Sequence, residues 1–274
     1  MIYKILLCVS LILVTKLVHA DNDDHDTHSE NGAFHDADPR NTQTSLGLAA
    51  DQDGDMKITF GTGGANLYGD DAYATQTILN IEYHAQAEQT RIRNANFDER
   101  FGGVYIDVSM QDIIDMYSVG YMVPMEGVGS NILFFPSLNY TRAEFNSNEA
   151  ADALLDSLGG RIEIDGIEYS RDAIADMITN IGLKGDDSAD LASLTIYAMK
   201  PWNETHYSLA QVTSGSSYSG FDMEIIDLYF TQGMRATVSG HSVNFFVELE
   251  YSETTIQGVE TEAEMLGVGF MLKF

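Results

Sequence analysis

From Leu266 to Phe274, apolar side chains occupy every second position. Leu266, Val268, Phe270, Leu272 and Phe274 fall on one face, and Gly267, Gly269, Met271 and Lys273 on the other. This two-residue period belongs to a strand with different surroundings on its two sides. The same alternation predicts strands over His241–Tyr251, Ile226–Val238, Thr205–Val212, Leu191–Lys200, Asn131–Thr141, Met116–Met125, Phe101–Met110, Gln76–Ala87 and the glycine-rich Met56–Tyr68. With the terminal segment these make ten strands, and boundaries read from one sequence admit eight to twelve. Pro124 and Pro201 fall at strand ends, where a missing N–H is cheap, whereas Pro136 falls inside a strand as a local defect.

At the other end, a basic start to Lys4, an apolar run from Ile5 to Val14 and Val18-His19-Ala20 ahead of an acidic stretch read as a secretory leader cleaved after Ala20. Cys8 lies inside the apolar run, so it is not a lipid-anchor cysteine, and the mature chain has no thiol chemistry or disulfides. After residue 20 no run of about eighteen apolar residues occurs, so no membrane helix is available. A chain that spans a bilayer without helices must span it as a closed barrel, because unpaired backbone groups in hydrocarbon are costly.

An exported start and an alternating C-terminal strand closing on an aromatic resemble the outer-membrane β-barrels of Gram-negative bacteria, the small OmpA/OmpW-like or porin-like barrels. The resemblance implies an all-β, antiparallel, up-and-down transmembrane barrel over residues 56–274. It also implies that Val268, Phe270, Leu272 and Phe274 form the strand read by the barrel-assembly machinery, with outer-membrane lipid and lipopolysaccharide as surroundings. An even strand count returns both termini to the periplasm. The short connections Pro201–Glu204, Ser239–Ser242 and Glu126–Ser130 then fall on the periplasmic side. Asn146–Asp190, Ser214–Gly220 and Ser252–Thr261 face outside, and Ala87–Glu99 becomes an unusually long periplasmic turn.

The external segment 146–190 is too long for a turn. Helical spacing predicts helices over Glu149–Leu158 and Arg171–Leu183, the second capped by Ser170, with a small hairpin over Arg161–Tyr169 around Asp165-Gly166. Together they describe a folded lid or a binding surface, the alternative being a loop with marginal local structure.

Charge narrows the function classes. The formal net charge is −28, from 42 acidic and 14 basic residues, and loss of Lys4 and Lys16 with the leader makes the mature chain more negative still. Such a surface repels nucleic acid. Segment 146–190 alone holds eleven acidic and three basic residues. Segment 21–55 is acidic, carries His25, His28 and His35, and has too few large apolar residues to fold alone.

Candidate chemistry is sparse. Asp51, Asp53 and Asp55 match the first half of an EF-hand calcium loop, but Met56 stands where the loop needs Gly and Thr62 where it needs a bidentate Glu. A weak divalent-cation site is the most they imply, and no other cofactor is expected. His206-Tyr207-Ser208 has the His-x-Ser spacing seen in lipid A deacylases, yet it lies beside a periplasmic turn, whereas lipid A occupies the outer leaflet. His84 with Glu82 reads as a satisfied interior histidine rather than an acid/base pair. Strand alternation puts Glu82, Asp107, Arg235, Glu248 and Glu250 in the lumen as candidate selectivity residues, with an Arg235–Glu248 ion pair predicted across the turn at Ser239–Ser242. The resulting expectation is a non-enzymatic barrel with a structural or surface-interaction role in the cell envelope. The alternatives are a narrow cation-preferring porin and, behind it, a lipid-modifying enzyme.

Overall fold

The computed structural model describes residues 40–65, 75–98, 100–126, 131–164, 167–239 and 241–274. Residues 1–20, expected as a leader, and the acidic, histidine-bearing residues 21–39 lie outside the described residues. No helix among the described residues is long and apolar enough to cross a membrane.

The described residues form twelve antiparallel barrel strands. They are β1 (Ser45–Asp51), β2 (Met56–Ala65), β3 (Thr75–His84), β4 (Gln89–Asp98), β5 (Gly102–Met110), β6 (Ile114–Met122), β8 (Leu133–Phe145), β11 (Ser188–Pro201), β12 (His206–Gly220), β13 (Met223–Val238), β14 (His241–Ile256) and β15 (Val259–Lys273). Each strand pairs with its chain neighbour. β8 pairs with β11 across the long connection between them, and the pairing of β1 with β15 closes the ring. The two-residue β7 (Met125–Glu126) extends the β6 edge along β8.

Inside and outside follow the alternation. Leu46, Ile58, Ile106, Val119, Leu194 and Val247 are exposed on the outer wall, while their chain neighbours Ser45, Lys57, Asp107, Ser193 and Glu248 are buried. A monomer in water would expose this apolar belt at great cost, whereas lipid accepts it. Strands β2–β6 are 9–10 residues long, just sufficient to span, while β12–β15 run to 15–16 and project beyond the membrane at one end. That end carries the long connection after β8 and is the outer end. The opposite, periplasmic end carries the start of β1 and the end of β15.

Two strands depart from the ten expected. β1 falls inside the acidic segment 21–55, so the barrel begins at Ser45 rather than Met56. β4 occupies most of Ala87–Glu99, the supposed long turn; the actual connection, Ala85–Glu88, is tight, lies at the outer end and uses a positive φ at Glu88. Inserting β4 reverses the direction of β2 and β3, and adding β1 restores the even count. Everything from β5 onward keeps its predicted side. Pro136 sits on β8 opposite the break between β6 and β7 and its carbonyl accepts from Val123 N–H at 3.0 Å, so its missing donor faces a gap in the ladder.

The connection after β8 is folded as expected. Helix α1 (Ser147–Ser157) is capped by the Asn146 side chain, accepting from Glu149 N–H. A hairpin of β9 (Ile162–Ile164) and β10 (Ile167–Tyr169) follows, then α2 (Arg171–Met177), capped by Ser170, and a π-helical turn over Ile178–Gly182. Ala151, Ile174 and Ala175 form a small core between the helices, and Arg171 pairs with Asp152 across them. That hydrogen bond raises the Arg171 pKa above its ordinary value. Short helices need such packing to persist.

Candidate functional site

A layer of paired charges lines the lumen near the outer ends of β2–β5 and the middle of β14. The Lys57 ammonium on β2 lies 2.7 Å from Glu248 and 3.2 Å from Glu250, both on β14. β15 and β1 separate these strands, so the lysine must lie along the inner wall. It can do so because the wall there is made of Gly267, Gly269, Gly47 and Ala49. A Cβ on Gly267 would meet Glu248 Oε1 at 2.9 Å.

On the adjoining wall, Arg91 of β4 forms a two-pronged contact with Asp107 of β5, at 3.0 and 2.6 Å. The Tyr105 hydroxyl donates to the same carboxylate at 2.7 Å. Arg93 pairs with Glu82 and donates to Asn80 Oδ1 at 3.1 Å. Both pairings are diagonal, since Arg93 stands opposite Asp107 and Arg91 opposite Glu82 in the ladder. Planar guanidinium groups suit this two-oxygen geometry.

The predicted lumen residues Glu82, Asp107, Glu248 and Glu250 therefore all face inward, and each is held by a cation. The three cations were missed. Arg91 and Arg93 lie in the strand read as a turn, while Lys57 was legible from the outward Met56 and Ile58 on either side of it. Arg235 also faces inward, but the predicted pairing with Glu248 is replaced. Val238 pairs with His241 around a two-residue turn, which puts Asn244 opposite Arg235 and Thr231 opposite Glu248, four residues further up β13. Lys57 is the partner of Glu248.

Below the charges, the lumen is apolar. Phe97, Met122, Leu133, Phe135, Met199 and Tyr207 pack together, with Phe135 edge-on to Phe97 at 6.3 Å and to Tyr197 at 5.8 Å. Gly103 and Gly233 make room for Phe97 and Tyr207 respectively, because a Cβ at either would collide with the ring. The Arg40 guanidinium lies over the Phe135 ring, 5.4 Å from its centroid. Arg40 precedes β1, and β1 and β8 are six strands apart in either direction around the ring of twelve. Such a ring is about 24 Å across between backbones, for strands about 4.8 Å apart and tilted about 40°. Residues 40–44 and two long side chains can cover that distance only by crossing the periplasmic mouth.

Above the charges, Leu191, Phe221, Met223 and Ile225 form a second apolar cluster, into which the lid inserts Leu183, only 3% exposed.

Asp51 Oδ1 accepts from the backbone N–H of Asp53 and Asp55, and Asp55 Oδ1 from Gln86 N–H, so this acidic run builds the β1–β2 turn. Among the described residues the one group of three or more acids or histidines whose ligand atoms all lie within 4.8 Å of one another is instead Glu253, Glu260 and Glu262 on the outer rim. His206 Nδ1 contacts Thr205 and Asn203, while the Ser208 hydroxyl donates to Gln232 and accepts from Trp202 Nε1. These contacts direct histidine and serine to different partners and form no activating dyad. Glu82, engaged by Arg93, forms no hydrogen bond with His84 among those described. Of the assembly strand, Val268 and Phe270 lie on the exposed outer wall, and Phe274 N–H donates to Thr44 at 2.9 Å.

A closed, even-numbered antiparallel barrel with an apolar outer belt is the architecture of outer-membrane β-barrels, and this chain has that architecture. No protein-family model and no curated protein matches it. Among solved structures it is similar to the NanC porin, at 7% identity and a TM-score of 0.41 over 84% of this chain and 98% of that one. It is also similar to the β domain of the Bordetella autotransporter BrkA, at 10% identity and a TM-score of 0.32 over 85% and 97%. OmpT, an outer membrane protein of Vibrio cholerae, gives 8% and 0.27 over 85% and 95%. Likenesses this distant assign no activity.

Proposed function

We propose that this chain is a closed-lumen barrel with a structural or surface-interaction role in the outer membrane, and that its working surface is the folded acidic lid. The observation that carries this reading is the Arg40–Phe135 contact, which requires the chain to cross the periplasmic mouth beneath a packed apolar layer. Leu183 and its neighbours add a second packed apolar cluster toward the outer end. Between these layers every predicted lumen acid is engaged by a cation. A lid with ten acidic and three basic residues over 146–187 favours a partner that presents positive charge.

The second reading is a narrow cation path. It is favoured by the balance of the charged layer, in which Glu82, Asp107, Asp227, Glu248 and Glu250 face Lys57, Arg91 and Arg93.

Recording from the refolded protein in planar bilayers separates the two. The closed-lumen reading expects a quiet baseline. Steady conductance steps with a cation-selective reversal potential would replace it with the second reading.

A further inference from the structure

The outer face of β4 is unlike the rest of the belt. Its outward positions are Thr90, Ile92, Asn94, Asn96 and Asp98, so four of the five are polar, while the strands on either side present Leu79, Ile81, Val104 and Ile106. Asn94 stands at the centre of a strand just long enough to span, between Leu79 and Ile106, and therefore deep in the hydrocarbon.

The stripe is partly self-satisfied. The Thr77 hydroxyl donates to Asn96 Oδ1 at 2.9 Å, Asn96 Nδ2 donates to Asn94 Oδ1 at 2.8 Å, and Asn94 Nδ2 donates to the Ile78 carbonyl at 2.9 Å. Each carboxamide nitrogen thus uses one of its two hydrogens in these bonds. In lipid the second has no water to turn to, and a polar group left in that position is costly.

We infer that the outer face of β4 is a contact between two copies of this chain within the membrane. Three features select a second copy as the occupant. All copies enter the membrane in one orientation, so a symmetric pair has its two-fold axis along the membrane normal, and equivalent residues meet at equal depth. Asn94 therefore faces Asn94, and a carboxamide, being both donor and acceptor, complements itself. The strands here are also short, and their outer connections, Ala85–Glu88 and Gln111–Ile113, carry one acid each, so the strongly acidic lid and the tall strands β12–β15 stand away from the contact. At the periplasmic end of the stripe Asp98 is matched by Arg100 at 2.8 Å, which removes a like-charge clash.

The test is cross-linking in phosphatidylcholine vesicles. In a Cys8→Ser background, which removes the one native cysteine, Asn94→Cys is compared with Val247→Cys, an outward position on β14 far around the barrel. The Asn94 variant is expected to form a disulfide-linked dimer at least tenfold faster under mild oxidation. Separately, Asn94→Leu/Asn96→Leu is expected to lower the dimer fraction of the otherwise native chain tenfold or more, while the heat-dependent gel shift, the change in mobility on boiling that marks a folded barrel, is retained. Equal cross-linking at both positions, a dimer indifferent to the double substitution, or a monomer at every protein-to-lipid ratio would overturn the inference. Because the two arms use different variants, misfolding of either leaves the other decisive.

Discussion

The Lys57 ammonium on β2 lies 2.7 Å from the Glu248 carboxylate on β14, although two strands, β15 and β1, stand between theirs. The contact ties together the first and last parts of the ring. Both side chains are buried, at 9% and 2% exposure, so removing one leaves an unpaired charge in a poorly hydrated place. Lys57→Met or Glu248→Leu alone is expected to lower barrel stability by about 3–5 kcal/mol, and the two together by much less. Urea unfolding of the vesicle-embedded protein measures both; equal losses in the single and double variants would show that packing, not charge, matters here.

Gly267 makes that contact possible. Its missing side chain leaves the space occupied by Glu248, and a Cβ would stand 3.0 Å from Glu248 Cγ. Gly267→Val is expected to cost about 1–3 kcal/mol by overpacking. The same change at Gly258, where nothing lies within 4 Å, acts through its φ of +80° instead, and so serves as a control for backbone strain alone.

Arg40 offers a direct handle on the mouth. Arg40→Ala removes the contact with Phe135, worth about 0.5–2 kcal/mol depending on desolvation. In planar bilayers this variant is expected to show brief conductance events absent from the native chain, with Phe135→Leu behaving alike. A baseline as quiet as the native one in both variants would mean that the apolar layer closes the lumen unaided.

At the outer end, Leu183 anchors the lid among Phe221, Met223 and their neighbours. Leu183→Ala is expected to cost about 2–5 kcal/mol locally. The readout is cleavage within residues 146–187 by a glutamate-specific protease added outside intact vesicles. Faster cleavage with an unchanged heat-dependent gel shift is the expected result, because the lid opens while the ring persists.

Deleting Phe274 removes an exposed aromatic at the membrane boundary together with its N–H bond to Thr44. Impaired assembly and loss of the heat-dependent gel shift are expected in cells. Normal assembly would mean that Val268, Phe270 and Leu272 suffice as the terminal signal.

How much of this was legible depended on what each strand faces. β15 was plain in the sequence because lipid on one side demanded Leu266, Val268 and Phe270 while the crowded wall on the other demanded Gly267 and Gly269. β4 was hidden because its lipid side carries Asn94 and Asn96 and its lumen side Arg91 and Arg93, leaving no apolar alternation to read. β1 was hidden because it is seven residues long, emerges from an acidic stretch and ends in Ala49-Ala50-Asp51. The lumen acids were found by parity alone, but their partners depend on register, which a two-residue slip at the Ser239 turn alters. Contacts that cross the ring, such as Arg40 with Phe135, depend on closure and on strand number, and no local pattern encodes them.

The seam between β1 and β15 pairs Ser45 with Lys273. No local hairpin can form it, so the ring stays open until the last strand arrives, and until then both edges present unpaired backbone groups. Folding of this chain is consequently a race between edge pairing within one molecule and edge pairing between molecules. The late arrival of β15, rather than the strength of any lumen contact, sets how long the nascent chain depends on being kept apart from its copies.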